Sequence, residues 1–497
     1  MTAPVQRGVQ SLVLLGRDAP LWLAASVLRA ALAPAGVAVT AIELPSLLYP
    51  ADVYATLPGL EALHTRLRLD EAGLLRATGG AFSLGQNVVD LLGTRPPFLN
   101  AYGGYGAPIE GNDFFAYWLK ARGLGLDVAL EDFSLTGAAA RQGRVMIPDE
   151  ASEIYGRADY AYHLPAIAYA AGLKSVAQRL GVAARTASHI AIERGEDGDI
   201  TALVADGARV PGDFFVDATG TDAALIGRTL GIGQESWRAH FPADRVFVAR
   251  AQAFAPVPTY AEIRAWDRGW TGLYPAQAAT HVVHAFDSAL IGDEQALQAA
   301  AAASGLALGD AVLRPSDPGR REQPWAQNCV AIGAAACALD PIHTLDLHAV
   351  QLGLVALLTY FPTGDAVAPS RAEYNRLMRS SFERLRDYQA AFYACAPFAG
   401  PFWRAAQAAP LPPALAHIVD TFRARGEVPP MEDDSIAADH WRALLIGLGI
   451  APESYSPRID TTDPEAVKAR FRTMLGFVKE TVLRQPMHAE ALGTARG

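Results

Sequence analysis

The stretch SLVLLGRDAPLWLAA, residues 11–25, narrows the choice of fold more than any other part of the chain. Four consecutive apolar residues are followed by Gly16, and a second apolar stretch begins at Leu21, which is typical of a buried strand, a tight turn and a helix. A further strand-like run, VAVTAIEL, reaches Glu43, 27 residues after Gly16. This order predicts the opening of a βαβ unit, and therefore an α/β fold built on a parallel sheet.

The turn of this unit departs from the pattern of dinucleotide-binding proteins. There, three glycines make the turn, let the backbone approach the diphosphate and let the helix pack on the strand. Gly16 is the first of them, but Asp18 and Leu21 take the places of the other two. The carboxylate would repel a diphosphate and the leucine would add bulk, although Glu43 lies near the distance at which an acid takes the ribose hydroxyls. An ordinary βαβ opening without a nucleotide accounts for the segment equally well.

Composition and charge exclude several classes of protein. The 497 residues, of which 51% are hydrophobic and 19% charged, are typical of a globular, enzyme-sized chain with two packed modules. A net charge of -10 gives no general attraction for a nucleic-acid backbone. The three cysteines, Cys329, Cys337 and Cys395, have no metal-ligand spacing and are too few for a disulfide framework, which favours a reducing cytoplasm.

The sequence predicts neither a secretion signal nor a membrane span nor a metal site. The apolar run 12–15 is too short for a signal peptide and is followed by two charged residues. The uncharged run 347–364 approaches membrane-spanning length, but its polar residues and a proline indicate a buried helix. No set of His, Cys, Asp or Glu has the spacing of metal ligands.

Periodicity predicts the remaining elements. Helices are predicted within 60–75 and 164–180, and four strands across 189–220 with turns at 196–198 and 206–207. The stretch 328–361 is predicted to be a strand, a turn of small residues and a long helix. From Arg371 onward the chain is predicted to be mostly helical, with breaks at 396–401 and 409–413.

Seven segments, in their order along the chain, resemble one protein family. They are Gly16 with Trp22 in the first turn, AYHLPAIAYAAGL at 161–173, DFFVDATG at 213–220, Gly269-Trp270, AIGAAACALDPIHTLDLHAVQLGL at 331–354, RDYQAAFYACAPFAGPFW at 386–403, and HWRALLIGLGIAPESYSP at 440–457. On these segments the chain resembles the flavin-dependent tryptophan halogenases over almost its whole length.

The resemblance implies an α/β fold of the FAD-dependent monooxygenase and halogenase type, with a Rossmann-type βαβ core, an antiparallel sheet and a mostly helical C-terminal module. Residues 1–365 would form the FAD-type nucleotide-binding module with an inserted substrate-side sheet. Residues 366–497 would form the helical module that completes the substrate pocket. FAD is the implied cofactor, and the residues implied to hold it are Gly16, Glu43, Asp217, Gly220 and Gly333. Asp217 and Gly220 would equally serve to cap a strand and form its turn.

The resemblance also implies a catalytic pair that this chain lacks. In the family, reduced FAD and oxygen form a flavin hydroperoxide, and the halide that attacks it leaves as hypohalous acid. A lysine holds or activates the halogenating species, and a glutamate stabilises the cationic ring intermediate. Alignment with the family's segments puts Gly80 at the lysine and His343 at the glutamate. His343 is either a general acid or base near neutral pH or a locally hydrogen-bonded residue at a helix start.

Two further family motifs are altered, and an aromatic set is retained. The flavin strap Gly-Val-Gly-Glu-Ala-Thr-x-Pro survives only as Ala55-Thr56 and Pro58, and Trp-x-Trp-x-Ile-Pro becomes Trp270, Gly272, Tyr274 and Pro275. The residues that match the family's enclosure of a flat aromatic substrate are Trp270, Phe392, Tyr393, Phe402 and Trp403. An aromatic cluster on helices is also the ordinary composition of a hydrophobic core.

These departures leave two functions open. One is a flavin-using enzyme of the halogenase type with changed chemistry, which oxygenates or halogenates an indole, pyrrole or phenol. The other is a non-catalytic homologue that binds an aromatic or peptide ligand or pairs with an active relative. We expect FAD to bind weakly or not at all, and no useful halogenation of tryptophan. The expected partners are a small aromatic molecule or an aromatic-containing peptide, a flavin reductase, and a second copy of the chain or an active homologue.

Overall fold

The computed structural model describes residues 8–148, 157–364 and 366–494. Its strands, in chain order, are β1 Ser11–Gly16, β2 Ala38–Glu43, β3 Val53–Ala55, β4 Ala81–Ser83, β5 Gly85–Asp90, β6 Phe98–Ala101, β7 Ala161–Pro165, β8 Ala183–Thr186, β9 Ile190–Arg194, β10 Ile200–Ala205, β11 Ala208–Pro211, β12 Phe214–Ala218, β13 Gln234–Ser236, β14 Arg245–Ala251, β15 Ala261–Trp266, β16 Gly269–Pro275, β17 Thr280–Phe286, β18 Val312–Pro315, β19 Gly319–Arg321, β20 Trp325–Ala326, β21 Cys329–Ala331 and β22 Cys337–Ala338.

The helices alternate with these strands in the first part of the chain and dominate the last part. In chain order they are α1 Asp18–Leu32, α2 Leu60–Arg66, α3 Glu71–Thr78, α4 Phe114–Gly123, α5 Leu135–Arg141, α6 Ala166–Arg179, α7 Asp293–Ser304, α8 Asp346–Thr359, α9 Ala368–Ala394, α10 Pro401–Ala408, α11 Pro413–Arg425, α12 Ala438–Gly447, α13 Pro464–Arg484 and α14 His488–Thr494.

The chain forms two compact units, each made of three separate segments. Unit 1 comprises Met1–Thr78, Pro165–Arg238 and Asp317–Arg384, and unit 2 comprises Gly79–Leu164, Ala239–Ser316 and Leu385–Gly497. This division differs from the predicted modules 1–365 and 366–497. The predicted boundary lies where strands give way to helices. The chain, however, passes between the two units several times, and its last passage is within α9.

Unit 1 is built on a six-stranded sheet in the order β20-β21-β12-β1-β2-β8. Strand β1 lies parallel to β2 and to β12, and Gly16 pairs with Glu43 on one side and Ala218 on the other. Val13 and Leu15 of β1 pack into one apolar cluster with residues of β10 and β12. The carboxyl ends of β1, β2 and β12 therefore share one edge of the sheet, as the βαβ prediction required.

Unit 2 contains a seven-stranded sheet in the order β18-β14-β17-β16-β15-β5-β6. Its neighbours pair antiparallel except for β15 with β5, which are parallel. Phe247 and Phe286 of this sheet pack against Ala296 of α7. This is the antiparallel sheet that the resemblance implied, and the helices α10 to α14 belong to the same unit.

Several elements match their predicted positions. The four strands across 189–220 are β9 to β12, and the breaks after Arg371 separate α9, α10 and α11. The predicted helical stretch 60–75 is two helices, because the chain turns between them at Arg68, which has a φ of 55°. The stretch Ile342–Thr359 is long and apolar enough to cross a membrane, but 56% of it is buried inside the protein, as in the core helix that the sequence predicted.

Candidate functional site

Gly16 stands where β1 and β12 approach each other most closely. A Cβ atom at this position would lie 2.5 Å from the Ala218 carbonyl oxygen and 2.6 Å from the Ala218 Cβ. The backbone N–H of Arg17 donates to the same carbonyl, at 3.3 Å. The packing of β12 against the end of β1 is thus sufficient to explain this glycine, without any ligand.

Asp18 has a backbone conformation that glycine adopts readily. Its φ of 59° lies in the left-handed region, which Asp tolerates better than most residues. Its carboxylate accepts a hydrogen bond from the Ser46 hydroxyl at 2.6 Å and from the Leu47 N–H at 3.4 Å. Burial raises the pKa of this carboxyl above its usual range. The carboxylate therefore stands at the start of α1, and Leu21, which is 0% exposed, fills the next glycine position.

Glu43 is occupied by contacts within unit 1. Its Oε1 accepts from the Trp22 indole N–H at 3.0 Å, and its Oε2 accepts from Lys174 Nζ at 2.5 Å. The Lys174 ammonium also lies 5.3 Å from the centre of the Trp22 ring. Because Trp22 is on α1 and Lys174 on α6, the carboxylate ties both helices to the end of β2. This explains Glu43 without the predicted ribose contact.

Asp217 is a structural anchor. It is 0% exposed, and its two oxygens accept hydrogen bonds from the Thr219 N–H and hydroxyl and from the N–H groups of Leu225 and Ile226, all at 2.7–3.0 Å. These contacts are those expected if Asp217 caps the strand and the turn that follows it. Gly220 forms that turn with a φ of 74°. The carboxylate is fully enclosed, and its four donors all belong to unit 1.

Gly333 lies where two helices come close to the turn after β21. A Cβ atom there would lie 3.2 Å from a Val350 methyl group on α8 and 3.5 Å from Pro20 on α1, and its φ is 57°. Six of the site residues predicted from the sequence lie in unit 1. Gly16, Glu43, Asp217 and Gly220 lie at or just after the ends of β1, β2 and β12, Gly333 lies in the turn after β21, and His343 lies in the turn before α8.

Three carboxylates of unit 1 act on Tyr54, and the sequence analysis singled out only Asp18 among them as a site feature. Burial is the main cause that raises the pKa of the Tyr54 phenol, and Asp18, Asp346 and Asp52 each raise it further, whereas the Ala19 backbone at the start of α1 lowers it. Asp346 is the first residue of α8, and desolvation by the surrounding protein raises the pKa of its carboxyl to about 6. An acid at the first turn of a predicted helix was the available signal.

His343 does not have the acid–base properties that the sequence allowed. It is 3% exposed, and burial lowers its pKa to about 3. It also adopts a left-handed conformation with a φ of 64° inside a short turn before α8. Near neutral pH the imidazole is therefore uncharged and a weak base, which favours the alternative of a residue at a helix start over a general acid or base.

Gly80 belongs to unit 2, in the loop before β4. Its carbonyl accepts from the Gln277 side-chain amide at 2.7 Å, and the preceding Gly79 carbonyl accepts from the Gln277 N–H at 3.0 Å. The loop is thus held by its backbone against the chain that follows β16. Position 80 offers no side chain that would hold a halogenating species.

The five aromatic residues predicted to line a substrate pocket come together in unit 2, and they fill the space between them. Each is 0% exposed. Ring centres of Phe392, Tyr393, Phe402 and Trp403 lie 5.1–6.2 Å from one another, and the Trp270 indole N–H donates to the Tyr393 hydroxyl at 2.8 Å. The predicted lining is therefore a closed core cluster.

The altered signature on β16 has a packing explanation in the same unit. A Cβ atom at Gly272 would lie 2.8 Å from the Tyr274 ring and 3.1 Å from the Trp270 ring. The retained Trp270 ring and the Tyr274 ring, which replaces the family's isoleucine, thus occupy the space beside the position of the family's second tryptophan.

A cavity of about 480 Å³ opens beside the carboxyl ends of β1, β2 and β12. Arg17, Asp222 and Arg228 form its polar side, and none of the three was singled out from the sequence. Arg17 Nη2 lies 3.1 Å from Asp222 Oδ2, and Arg228 Nη2 lies 2.7 Å from Asp222 Oδ1. We call this cavity the arginine pocket. A charged residue directly after Gly16 was the only sequence signal for it.

A family model and a curated relative both match this chain to tryptophan halogenases. The family model described as tryptophan halogenase matches residues 11–464. Tryptophan 6-halogenase SttH of Streptomyces toxytricini is 24% identical over 351 residues, which are 67% of this chain and 66% of the relative. The matched part of the chain thus spans just under two thirds of the length of that curated relative.

Two solved structures superpose closely. BrvH, a flavin-dependent halogenase from Brevundimonas sp. BAL3, is 28% identical with a TM-score of 0.92, and Xcc4156, a flavin-dependent halogenase from Xanthomonas campestris, is 29% identical with a TM-score of 0.92. Each superposition covers 98% of this chain and 99% of the other. The fold class predicted from the sequence is confirmed.

Proposed function

Because the chain belongs to the tryptophan halogenase family, we propose that it is a divergent flavin-dependent-halogenase-like protein that has lost the ordinary halogenation of tryptophan. The observation that carries this proposal is Asp18. A partly buried carboxylate stands at the start of α1, where a flavin-dependent relative would present uncharged backbone to a diphosphate.

The residues present do not fit FAD in the way that the family implies. Beside the Asp18 carboxylate, Asp52 and Asp346 add negative charge around Tyr54, close to the backbone N–H groups at the start of α1. Helix starts bind anions through such N–H groups and their partial positive charge. A diphosphate would meet carboxylates there instead, so we propose that FAD binds weakly or not at all.

The proposed loss also rests on the two positions aligned with the catalytic pair. Gly80 has no side chain, and His343 is a buried imidazole whose pKa of about 3 keeps it uncharged. A neutral ring stabilises a developing cation less well than a carboxylate does. We therefore derive no reaction step through these residues.

Tryptophan is the substrate to test first, because SttH is named for acting on it. The purified protein, FAD, a flavin reductase, oxygen and chloride or bromide are incubated with tryptophan, and the products are measured by mass spectrometry. We expect no halotryptophan above a reaction without protein, whereas SttH in the same mixture provides the positive control. Halotryptophan formed in several turnovers would refute the proposal.

FAD affinity tests the same proposal without activity. Quenching of FAD fluorescence is measured for the wild type and for Asp18→Gly, which the left-handed backbone accepts. We expect little binding by the wild type and a gain of about tenfold or more in the variant, because one buried repulsion is removed. A protein isolated yellow with one FAD per chain would show that the carboxylate is tolerated.

The alternative function is a non-catalytic homologue in the cytoplasm that binds an aromatic or peptide ligand or pairs with an active relative. The closed aromatic cluster gives it no open aromatic lining. Pairing with a second copy or with an active homologue is tested by analytical ultracentrifugation of the protein alone and mixed with such a homologue. A mixture that sediments as the sum of its parts would remove the pairing alternative.

A further inference from the structure

A groove in unit 2 lies between helix α4 and the first half of helix α13, and we call it the α4–α13 groove. Its volume is about 380 Å³, which is within the range of small-molecule sites. Both helices line it with residues one turn apart, so each presents an apolar stripe to the groove. The stripes consist of Tyr117, Ala121 and Leu124 on α4 and of Val467, Phe471 and Leu475 on α13.

The apolar walls of this groove are built into the fold and yet open to water. Leu124 is 80% exposed, whereas Val467 and Leu475 are half-buried and Phe471 is buried. The polar group beneath them is satisfied, because the Tyr117 hydroxyl lies 2.9 Å from the Thr462 hydroxyl. An apolar ligand that covers the stripes would therefore remove hydrophobic surface from water without leaving a polar group of the floor unpaired.

The charged side chains that line the groove are all cationic, although the chain as a whole carries a net charge of -10. Lys120 Nζ lies 2.7 Å from Asp460 Oδ1, and Lys468 Nζ lies 2.7 Å from Glu465 Oε1, so these two charges are partly offset. Arg472 lies one turn after Lys468 on α13.

The exposed Arg472 guanidinium makes no hydrogen bond or ion pair with any residue that the structure describes. A guanidinium binds a carboxylate through two parallel hydrogen bonds. The edge of the groove thus offers a site for an anionic head group beside the apolar stripes, and the charge complementarity favours an amphipathic anion.

Size and shape narrow the class of ligand. At about 30 Å³ for each small group, which is the share of one water molecule in the liquid, the groove holds about twelve non-hydrogen atoms. Its apolar residues recur along two helices and form a strip, which suits an alkyl chain better than a fused ring. We propose that the α4–α13 groove binds a medium-chain fatty acid of about ten carbons, with the chain on the apolar stripes and the carboxylate on Arg472 and Lys468.

This proposal is independent of the proposed loss of halogenation. The groove contains no residue from the start of α1 and neither of the two positions aligned with the catalytic pair. Weak or tight binding of FAD therefore leaves the expected affinity for a fatty acid unchanged.

Isothermal titration calorimetry with sodium salts of fatty acids tests the groove directly. We expect decanoate to bind more tightly than about 1 mM, and each methylene from hexanoate to decanoate to tighten binding by about threefold, somewhat less than full burial would give. Dodecanoate should gain little more, because the groove is then full. Absence of heat with decanoate, or equal affinities for hexanoate and decanoate, would overturn the proposal.

Two further ligands separate charge from shape in the same titration. Decyltrimethylammonium has the same chain with the opposite charge, and we expect it to bind at least tenfold more weakly than decanoate. Indole-3-acetate has the same charge and a similar size but carries a fused ring, and it should also bind more weakly. Binding of either ligand as tight as that of decanoate would contradict the assignment of a fatty acid.

Substitutions on the two sides of the groove test the two parts of the ligand. Leu124→Asp puts a carboxylate on the apolar wall and should weaken decanoate by about tenfold or more, and the fold tolerates it because Leu124 is mostly exposed. Leu483→Asp is the matched control, because Leu483 is an exposed leucine of α13 beyond the groove, and it should change nothing. Equal affinities of the two variants would overturn the proposal.

The head group is tested by Arg472→Ala, with Arg470→Ala as the matched control on the same helix outside the groove. We expect Arg472→Ala to weaken decanoate by about tenfold and to keep the gain for each methylene, because only the contact with the carboxylate is removed. Arg470→Ala should bind like the wild type. A loss of the same size in both arginine variants would mean that general charge, and not Arg472, attracts the ligand.

A second copy of the chain is the other candidate occupant of the groove, and sedimentation velocity distinguishes it. A dimer that decanoate or Leu124→Asp converts to a monomer would show that the groove is an interface between copies, which would overturn the proposal. A sedimentation coefficient that neither treatment changes supports the fatty acid as the occupant.

Discussion

Asp217 and Asp18 lie at the same edge of the unit 1 sheet, but their carboxylates have different roles. Asp217 is enclosed by four donors and stabilises the turn after β12, whereas Asp18 has two acceptor contacts and a left-handed backbone. The first is explained by the fold alone. The second is tolerated by the fold and opposes an anion, which is why the proposed loss of FAD depends on Asp18 and not on Asp217.

Substitutions at Asp18 are expected to separate backbone conformation from charge. Asp18→Ala and Asp18→Gly both remove the carboxylate, but alanine pays about 1 kcal/mol more than glycine to keep a φ of 59°. Urea denaturation should therefore find Asp18→Gly more stable than Asp18→Ala by about that amount. Equal stabilities would mean that the turn relaxes out of the left-handed region when the side chain is removed.

Asp346 is expected to make stability depend on pH in an identifiable direction. Its pKa is raised from 3.8 to about 6 by its enclosure, so the folded protein holds this proton more tightly than the unfolded chain does. The stabilising effect is complete below about pH 4 and is lost as pH rises through about 6. Relative to Asp346→Asn, which does not titrate, the free energy of unfolding of the wild type should fall between pH 4.5 and pH 7.5. A constant difference across this range would contradict the raised pKa.

At the scale of the elements, the close approach of β1 and β12 leaves no room for a side chain at position 16. Gly16→Ala would put a methyl group within 2.6 Å of Ala218, so one of the two strands must shift, at a cost of about 1–3 kcal/mol. Gly172→Ala is the matched control. It lies in α6 with nothing within 4 Å, and alanine there should stabilise the helix by about 1 kcal/mol. If Gly16→Ala unfolded at the same urea concentration as the wild type, packing would no longer explain this glycine.

The strands and helices could be predicted from the sequence, whereas many of the side-chain contacts between them could not. The strand, turn and helix at 11–25 and the four strands across 189–220 follow from apolar periodicity and turn residues, which are local signals. The carboxylates around Tyr54 and the arginine pocket join residues far apart in the chain, from Arg17 to Arg228 and from Asp18 to Asp346. These residues come together only because β12 pairs with β1 and because α8 packs near the start of α1. Neither arrangement follows from a local sequence pattern.

Burial explains the remaining differences at the predicted site. The sequence allows His343 to be an acid or base, because an ordinary histidine titrates near neutral pH. Burial of His343 before α8 lowers its pKa to about 3, and the sequence alone does not show this burial. The five aromatic residues were correctly expected to lie close together. The sequence does not show whether these side chains enclose a ligand or pack against one another. The distances between their ring centres show that they pack against one another.

At the scale of the whole molecule, the interleaving of the two units determines how the chain can be divided. Within unit 2, Trp270 of β16 bonds to Tyr393 of α9, the Asn100 side chain donates to the Tyr388 hydroxyl at 2.7 Å, and Tyr388 lies edge-on to Trp441 at 5.0 Å. Trp270 and Asn100 precede residue 365, and their partners follow it. A cut at the predicted module boundary would separate residues that share one core.

Expression of residues 1–365 and 366–497 as separate chains tests this division. We expect neither fragment to show a cooperative urea transition or the near-ultraviolet circular dichroism of the whole protein, because unit 2 loses the partners of Tyr388 and Tyr393 and unit 1 loses the first part of α9. Tyr393→Phe in the intact chain is the matched control. It removes only the bond to the Trp270 indole N–H and should cost about 1–3 kcal/mol while leaving the transition cooperative. A fragment 366–497 that folds cooperatively alone would restore the boundary predicted from the sequence and show that its helices form a core without the seven-stranded sheet.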